Sequence, residues 1–355
     1  MRRACAGALG ALVLGACGRD AAPLPAFAAS IDAAASVVLV LPDEALRARL
    51  IAVLEPLAAR VGLEQHVAAD RLWYVDPRAP SPLASLAESR TFRAALAARP
   101  LPDTGASWCF VDLQALTDGV RARLVELAPR IVPVFDALGL GSLAWAAGEL
   151  TSGETSLALD LSIRATDDVG GPLAWLSKER ARESLLAGPE PAESLGVEFR
   201  FTPSAVARAL DSIVADRRPG ELRLDGVMLD AALHAARALC AKLDGRLSLR
   251  LAAPGRPTLA LGLADGEAAR AALAALLPRR DREAPLQLGG LQFRFDADRL
   301  LLGVAEAGAA EGLPRGGAAP PGPLLVWGRV PELGALRIEL THEGELGLRL
   351  TARID

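Results

Sequence analysis

The sequence predicts an α+β fold built of tandem β-α-β-β-α units, with mainly antiparallel sheets and the helices on one face. Three observations carry this expectation. A short apolar run followed by a helical repeat recurs along the chain, as in Val37–Leu41, Ser107–Val111, Val197–Phe201 and, more weakly, Leu324–Val330. The switch from period two to period 3.6 falls each time at a proline or a capping residue. Segments of alternating polarity then come in pairs around short turns, the pattern of antiparallel hairpins with one wet face.

In the first copy, Pro42-Asp43 turns Val37–Leu41 into a helix carrying Leu46, Leu50, Leu54 and Leu57. In the second, Asp112 opens a helix through Leu113, Leu116, Val120 and Leu124. In the third, Thr202-Pro203-Ser204 starts one through Val206, Leu210 and Ile213. The middle copies continue alike. One hairpin joins Leu143–Ala147 to Ser156–Arg164, and another joins Arg246–Ala252 to Thr258–Leu263; helices are expected after them at Pro172–Leu186 and Glu267–Leu277. Two more hairpins close the chain, turning at Asp296-Ala297-Asp298 and at Glu343-Gly344. The expected units are residues 36–190 and 191–355.

The N-terminus carries a different kind of signal. Arg2 and Arg3 precede the apolar stretch Ala4–Leu14, and the small residues Gly15 and Ala16 lead into Cys17. A charged start and an apolar run too short to span a bilayer are the marks of a secretory signal. Leu14-Gly15-Ala16-Cys17 resembles the lipobox of bacterial lipoproteins. The resemblance implies removal of residues 1–16 and acylation of Cys17, which becomes the new N-terminus. Several acyl chains make a stable anchor where one does not. Gly18 in place of an aspartate implies the outer membrane, facing the periplasm. Residues 17–35, rich in Ala and Pro, read as the lipidated cysteine and a flexible tether; stretched out, it would reach on the order of 50–60 Å.

A second resemblance lies in Leu86-Ala-Glu-Ser-Arg-Thr-Phe92, Pro102-Asp103 and Trp108-Cys-Phe-Val-Asp-Leu113. It is similar to a family of uncharacterised bacterial secreted and envelope proteins, extends loosely over residues 37–280, and implies no activity.

Composition excludes some partners. Without Arg2 and Arg3 the chain carries a net charge of about −6, the wrong sign for nucleic acid or an anionic lipid surface. After the signal there is no apolar run long enough to cross a membrane as a helix. Of the four cysteines, Cys5 leaves with the signal and Cys17 takes lipid. Cys109 and Cys240 remain, able to pair in an oxidising compartment or to sit as small hydrophobes in the core.

Chemistry is hard to find. Asp230 and His234 share one helix face four residues apart, but two ligands do not make a metal site. His66 and His342 are expected at the surface. Gly139-Leu-Gly141-Ser-Leu-Ala144 has the letters of a dinucleotide-binding loop, but it follows a helix and precedes a strand, so the glycines read as a helix C-cap and turn. Asp167-Asp168 and Asp296/Asp298 read as turn acids. Trp73, Trp108, Trp145, Trp175 and Trp327 fall in apolar patterns and read mostly as core. No catalytic, cofactor-binding or metal-binding residue is assigned. The expected function is a non-catalytic envelope lipoprotein that binds a protein partner or supports assembly. A carrier of an apolar ligand or lipid is the alternative, and a hydrolase with a dispersed site, Asp230 and His234 among its residues, comes third.

Overall fold

The computed structural model describes residues 24–78, 85–102, 106–153, 156–166, 171–179, 185, 195–215, 237–252, 256–276, 286–288, 291–304, 322–330 and 334–355. The fold is mixed α+β, with more strand than helix and antiparallel pairing throughout the sheet registers below. No helix among the described residues is long and apolar enough to cross a membrane. The chain divides into two compact units, one ending at Asp112 and the other beginning at Leu113. The expected boundary near residue 190 is therefore displaced. Residue 190 falls inside the second unit, where strands from both sides of it in sequence belong to one sheet.

The first unit begins earlier than expected. Residues 24–35, read from the sequence as tether, are folded: Ala26–Ala29 form a 3-10 turn, Ala28 and Ile31 are fully buried, and the Leu86 amide donates to the Ile31 carbonyl. Scattered small apolar residues gave no period to read, yet two of them fill the core.

Four strands follow: β1 (Ala35–Val40), β2 (Glu64–Ala68), β3 (Arg71–Val75) and β4 (Ser107–Asp112), side by side in the order β2-β3-β1-β4. Asp43 caps the helix Glu44–Val61, its carboxylate accepting from the Ala45 and Leu46 amides, and Gly62 ends it in the left-handed region at φ 69°. Ser89 caps the helix Arg90–Ala98 through the Phe92 amide. That helix lays Phe92 edge-on against Trp108 and Phe110, with ring centroids 6.1 and 5.2 Å apart, and the Trp108 indole donates to the Arg99 carbonyl at 3.1 Å. Buried rings with a satisfied N–H make a strong core.

The second unit opens with two helices, Leu113–Leu127 and Val132–Leu138. Gly139, at φ 64°, ends the latter, as its C-cap reading predicts; a Cβ there would also lie 2.3 Å from Gly171 Cα. The strands are β5 (Leu143–Ser152), β6 (Leu157–Ala165), β7 (Leu195–Arg200), β8 (Leu243–Ala252) and β9 (Arg256–Leu263). They continue as β10 (Leu286–Leu288), β11 (Leu291–Phe295), β12 (Arg299–Val304), β13 (Leu324–Val330), β14 (Gly334–His342) and β15 (Gly347–Ile354). Their spatial order is β10-β11-β12-β9-β8-β7-β13-β14-β15-β6-β5, so the C-terminal strands are inserted between the two middle hairpins.

Helices Pro203–Ala215 and Gly266–Leu276 follow β7 and β9. Of the helix expected over 172–186, Pro172–Trp175 form a single turn and residues 176–179 are not helical, while residues 180–184 and 186 lie outside the described residues. Leu176 instead pairs with Phe201, and the Ser177 amide donates to the Arg200 carbonyl, so strand-like bonds claim the residues that would extend the helix. Leu173 and Leu176 pack on Leu340 and Leu348, joined by Phe199, Leu324 and Leu350. Ala269 and Leu273 pack on Leu263, Phe293 and Leu300. Each such fully buried aliphatic side chain contributes about 1.5–3 kcal/mol.

Cys109 and Cys240 are both buried free thiols, and burial pushes the Cys240 thiol up from its ordinary value. They behave as small core hydrophobes.

Candidate functional site

The register of the second unit sets the Leu- and Phe-rich rows on one sheet face and the polar rows on the other. One row crosses ten strands on the polar face: Glu149, Asp160, Thr351, Glu339, Leu325, Glu198, Ser248, Ala260, Leu301 and Arg294. Arginines stand in the rows on either side. Arg353, Arg337 and Arg250 lie along one, with Trp327 and Gly196 between Arg337 and Arg250; Arg349 lies in the other, as do Arg200 and Arg246. Period-two alternation in six strands thus interleaves carboxylates with guanidinium groups.

Over β7, β8, β9 and β12 this face is covered. Glu198, Arg200, Ser248 and Arg299 are 7%, 5%, 1% and 6% exposed. Leu185 packs against Ala260 and Leu301, and the Arg299 Nη1 donates to its carbonyl at 2.8 Å while Nε binds Asp296 at 2.7 Å. Arg200 reaches the Gly322 carbonyl through Nε at 3.2 Å and also through Nη2, and the Glu179 carbonyl through Nη1 at 2.5 Å. Both guanidinium groups therefore hold main-chain carbonyls from distant segments, the geometry for which arginine's rigid fork is suited.

Glu198 lies among these cations. The Ser248 hydroxyl donates to its Oε1 at 3.4 Å. Burial pushes the carboxyl up to about 7, against the pull of Ser248 and of Arg250, Arg200 and Arg246. Desolvation outweighs the nearby positive charge, so the group can gain or lose a proton near neutrality. Beside it the ring of Trp327 fills the space over Gly196, where a Cβ would meet ring carbons at 2.4 Å.

Over β5, β6, β15 and β14 the same face forms an open hollow of about 320 Å3. Arg349 grips Asp160 in a two-pronged bond of 2.9 and 2.6 Å, Arg337 binds Glu339, and Arg353 binds Asp355 at 2.6 Å. Glu149 and Asp160 stand directly opposite each other, as do Arg337 and Arg353. Like charges so placed cost free energy unless something of opposite sign lies between them. The hollow presents both signs within one side-chain length.

A second hollow, of about 380 Å3, lies between the helices Leu113–Leu127 and Val132–Leu138 and the Gly139–Ser142 turn. Arg121 and Asp136 pair across it at 2.6 and 2.8 Å, which holds the Asp136 carboxyl below its ordinary value.

His66 is exposed, as expected, but it lies in strand β2 and stacks on Trp73 at 5.5 Å. His342 departs from expectation: it is half-buried, and its Nε2 lies 3.2 Å from the Ser177 carbonyl. A carbonyl only accepts, so Nε2 carries the hydrogen in that bond. Among the described residues, Nδ1 is buried without a hydrogen-bond partner, as is Glu343 Oε2. Burial lowers the His342 pKa, with the nearby Lys178 and Arg200 charges acting in the same direction. Sequence reasoning placed His342 at a hairpin turn without the segment after Trp175 that covers it.

Asp296 is a turn acid, paired with Arg299 and Arg294. Trp108, Trp145 and Trp327 are buried. Cys17, Asp167, Asp168, Asp230 and His234 lie outside the described residues. Among the described residues, no three His, Cys, Asp or Glu side chains are placed to hold a metal ion. The interleaved face was missed for want of register: each strand shows its own alternation, but only the pairing brings Glu198, Arg250 and Arg246 together.

No protein-family model matches the chain, and no curated protein or solved structure matches it.

Proposed function

We propose that this protein is a non-catalytic lipoprotein of the bacterial cell envelope, anchored by lipid on Cys17, which binds a protein partner or supports its assembly. The observation that carries the binding role is the open half of the polar face, where Asp160, Glu339, Arg337 and Arg353 line a hollow of about 320 Å3 and Arg349 holds Asp160 from beside it. Among the described residues, Leu173 and Leu176 pack on the opposite face of this part of the sheet, against Leu340 and Leu348. A contact surface of this kind gains orientation and rate from complementary charge more than raw affinity. The signal and the Leu14-Gly15-Ala16-Cys17 motif support the cell envelope as its location, and Gly18 after the cysteine supports the outer membrane, facing the periplasm.

We also propose that the fold derives from tandem β-α-β-β-α units. The succession β7, helix Pro203–Ala215, β8, β9, helix Gly266–Leu276 supports this. The first unit varies the theme. There β1 pairs with β3, the second strand of the following hairpin, whereas β7 pairs with β8, the first strand of its hairpin.

The test is a photo-cross-linking side chain at Thr351, on the open face, in cells. The expected result is one discrete adduct that disappears when Arg349→Glu breaks the Asp160 pair. No adduct from Thr351, or an adduct indifferent to Arg349→Glu, would count against this surface.

A further inference from the structure

Six residues lie between Cys17 and Leu24, the first described residue. The seven steps from Cys17 to Leu24 span at most about 25 Å at about 3.3–3.6 Å per residue. Beyond Leu24 there is no slack: the Ala28 amide donates to Pro25 O, Ala28 is fully buried, and the Phe27 ring lies 5.3 Å from the Arg71 guanidinium. Arg71 opens β3 and pairs with Ala68, the last residue of β2. The chain therefore enters the first unit at the end of the sheet that carries the Ala69-Asp70 turn. Leu24, three residues before Phe27, is an exposed apolar side chain near that end.

Resting on the lipid-anchor reading of Cys17, we infer that the first unit lies directly on the bilayer, with the β2–β3 turn and Leu24 toward the lipid. The Glu64 end of β2 points away from it. The partner is the lipid surface itself, of either headgroup charge. Between residues 24 and 112 acidic side chains outnumber basic ones, so acyl chains supply the attachment and attraction to anionic lipid does not. A freely swinging domain on a long tether is the arrangement this replaces.

The test uses the full chain, processed in bacteria, extracted and reconstituted in phosphatidylcholine vesicles containing a headgroup nitroxide lipid. A fluorophore is placed by Ala69→Cys or by Glu64→Cys. Both positions are exposed, while Cys109 and Cys240 are buried from the reagent. The two sites lie at opposite ends of one strand, about 17 Å apart. The expected result is quenching several-fold stronger at Ala69 than at Glu64, unchanged by salt. Inserting a Gly/Ser linker of about twenty residues after Pro23 should abolish the difference. Equal quenching at both sites of an acylated protein, or a difference that survives the linker, would overturn the inference and leave the anchor standing. A protein whose mass shows no acyl group on Cys17 would overturn both.

Discussion

Replacing Glu198 by glutamine should stabilise the protein in mildly alkaline solution and leave its stability in acid nearly unchanged. In the folded chain, burial raises this carboxyl from 4.5 to about 7. Between those values the native state holds a proton that the unfolded chain has lost, so stability falls as pH rises through the window. The slope is about 1.4 kcal/mol per pH unit, and the whole loss about 3 kcal/mol. Glutamine keeps the shape and the hydrogen-bonding capacity without the charge. At pH 8 Glu198→Gln should therefore recover up to about 3 kcal/mol, equivalent to roughly 6–12 °C in Tm for a unit of this size. At pH 4.5 the two proteins should unfold together. Urea titrations at pH 4.5, 6 and 8, with unchanged slopes, measure this directly. If Glu198→Gln instead loses stability at pH 8 and not at pH 4.5, the carboxylate is held as an anion by Arg250, Arg200 and Arg246, and desolvation is not the governing force.

His342 should add a pH dependence of the opposite sign. Burial lowers its pKa below 6.5, so stability rises with pH between the folded value and 6.5 and is lost in acid; His342→Phe should remove that acid-side loss in the same titrations. Arg299→Ala strips a buried guanidinium from Asp296 and the Leu185 carbonyl, at an expected cost of about 3–5 kcal/mol in urea unfolding. Arg353→Ala, which removes an exposed pair with Asp355, should cost under about 1 kcal/mol by the same assay. Gly196→Ala forces a methyl into the Trp327 ring and should cost about 1–3 kcal/mol, with a changed tryptophan emission spectrum as the local readout.

Much of this architecture was legible because its strands and helices are strongly patterned. Val37–Leu41, Ser107–Val111 and Val197–Phe201 are strands, each followed by the expected helix, and the hairpins at Asp296–Asp298 and Glu343-Gly344 turn where the alternation breaks. The β2–β3 hairpin was not legible. Glu64–Ala68 is a largely exposed edge strand, so neither face is obliged to be apolar and no alternation marks it. The short helix at Pro172 was overread because helical spacing continues in sequence while Leu176 and Ser177 bond to the end of β7. Register is the deeper gap. Glu198 reads as one polar residue in an alternating strand, and only pairing brings Ser248 and the arginines Arg250, Arg200 and Arg246 around it. The same holds for Asp160 and Arg349, which meet across 189 positions of sequence.

The proposed anchor on Cys17 underlies both the proposed envelope location and the inferred apposition of the first unit to lipid, so its chemistry is the most direct test. Intact-mass and N-terminal peptide analysis of the protein made in a bacterial host should find a chain beginning at Cys17, with its thiol carrying a diacylglyceryl group. A chain that retains residues 1–16, or one cut elsewhere with Cys17 as a free thiol, would contradict the account.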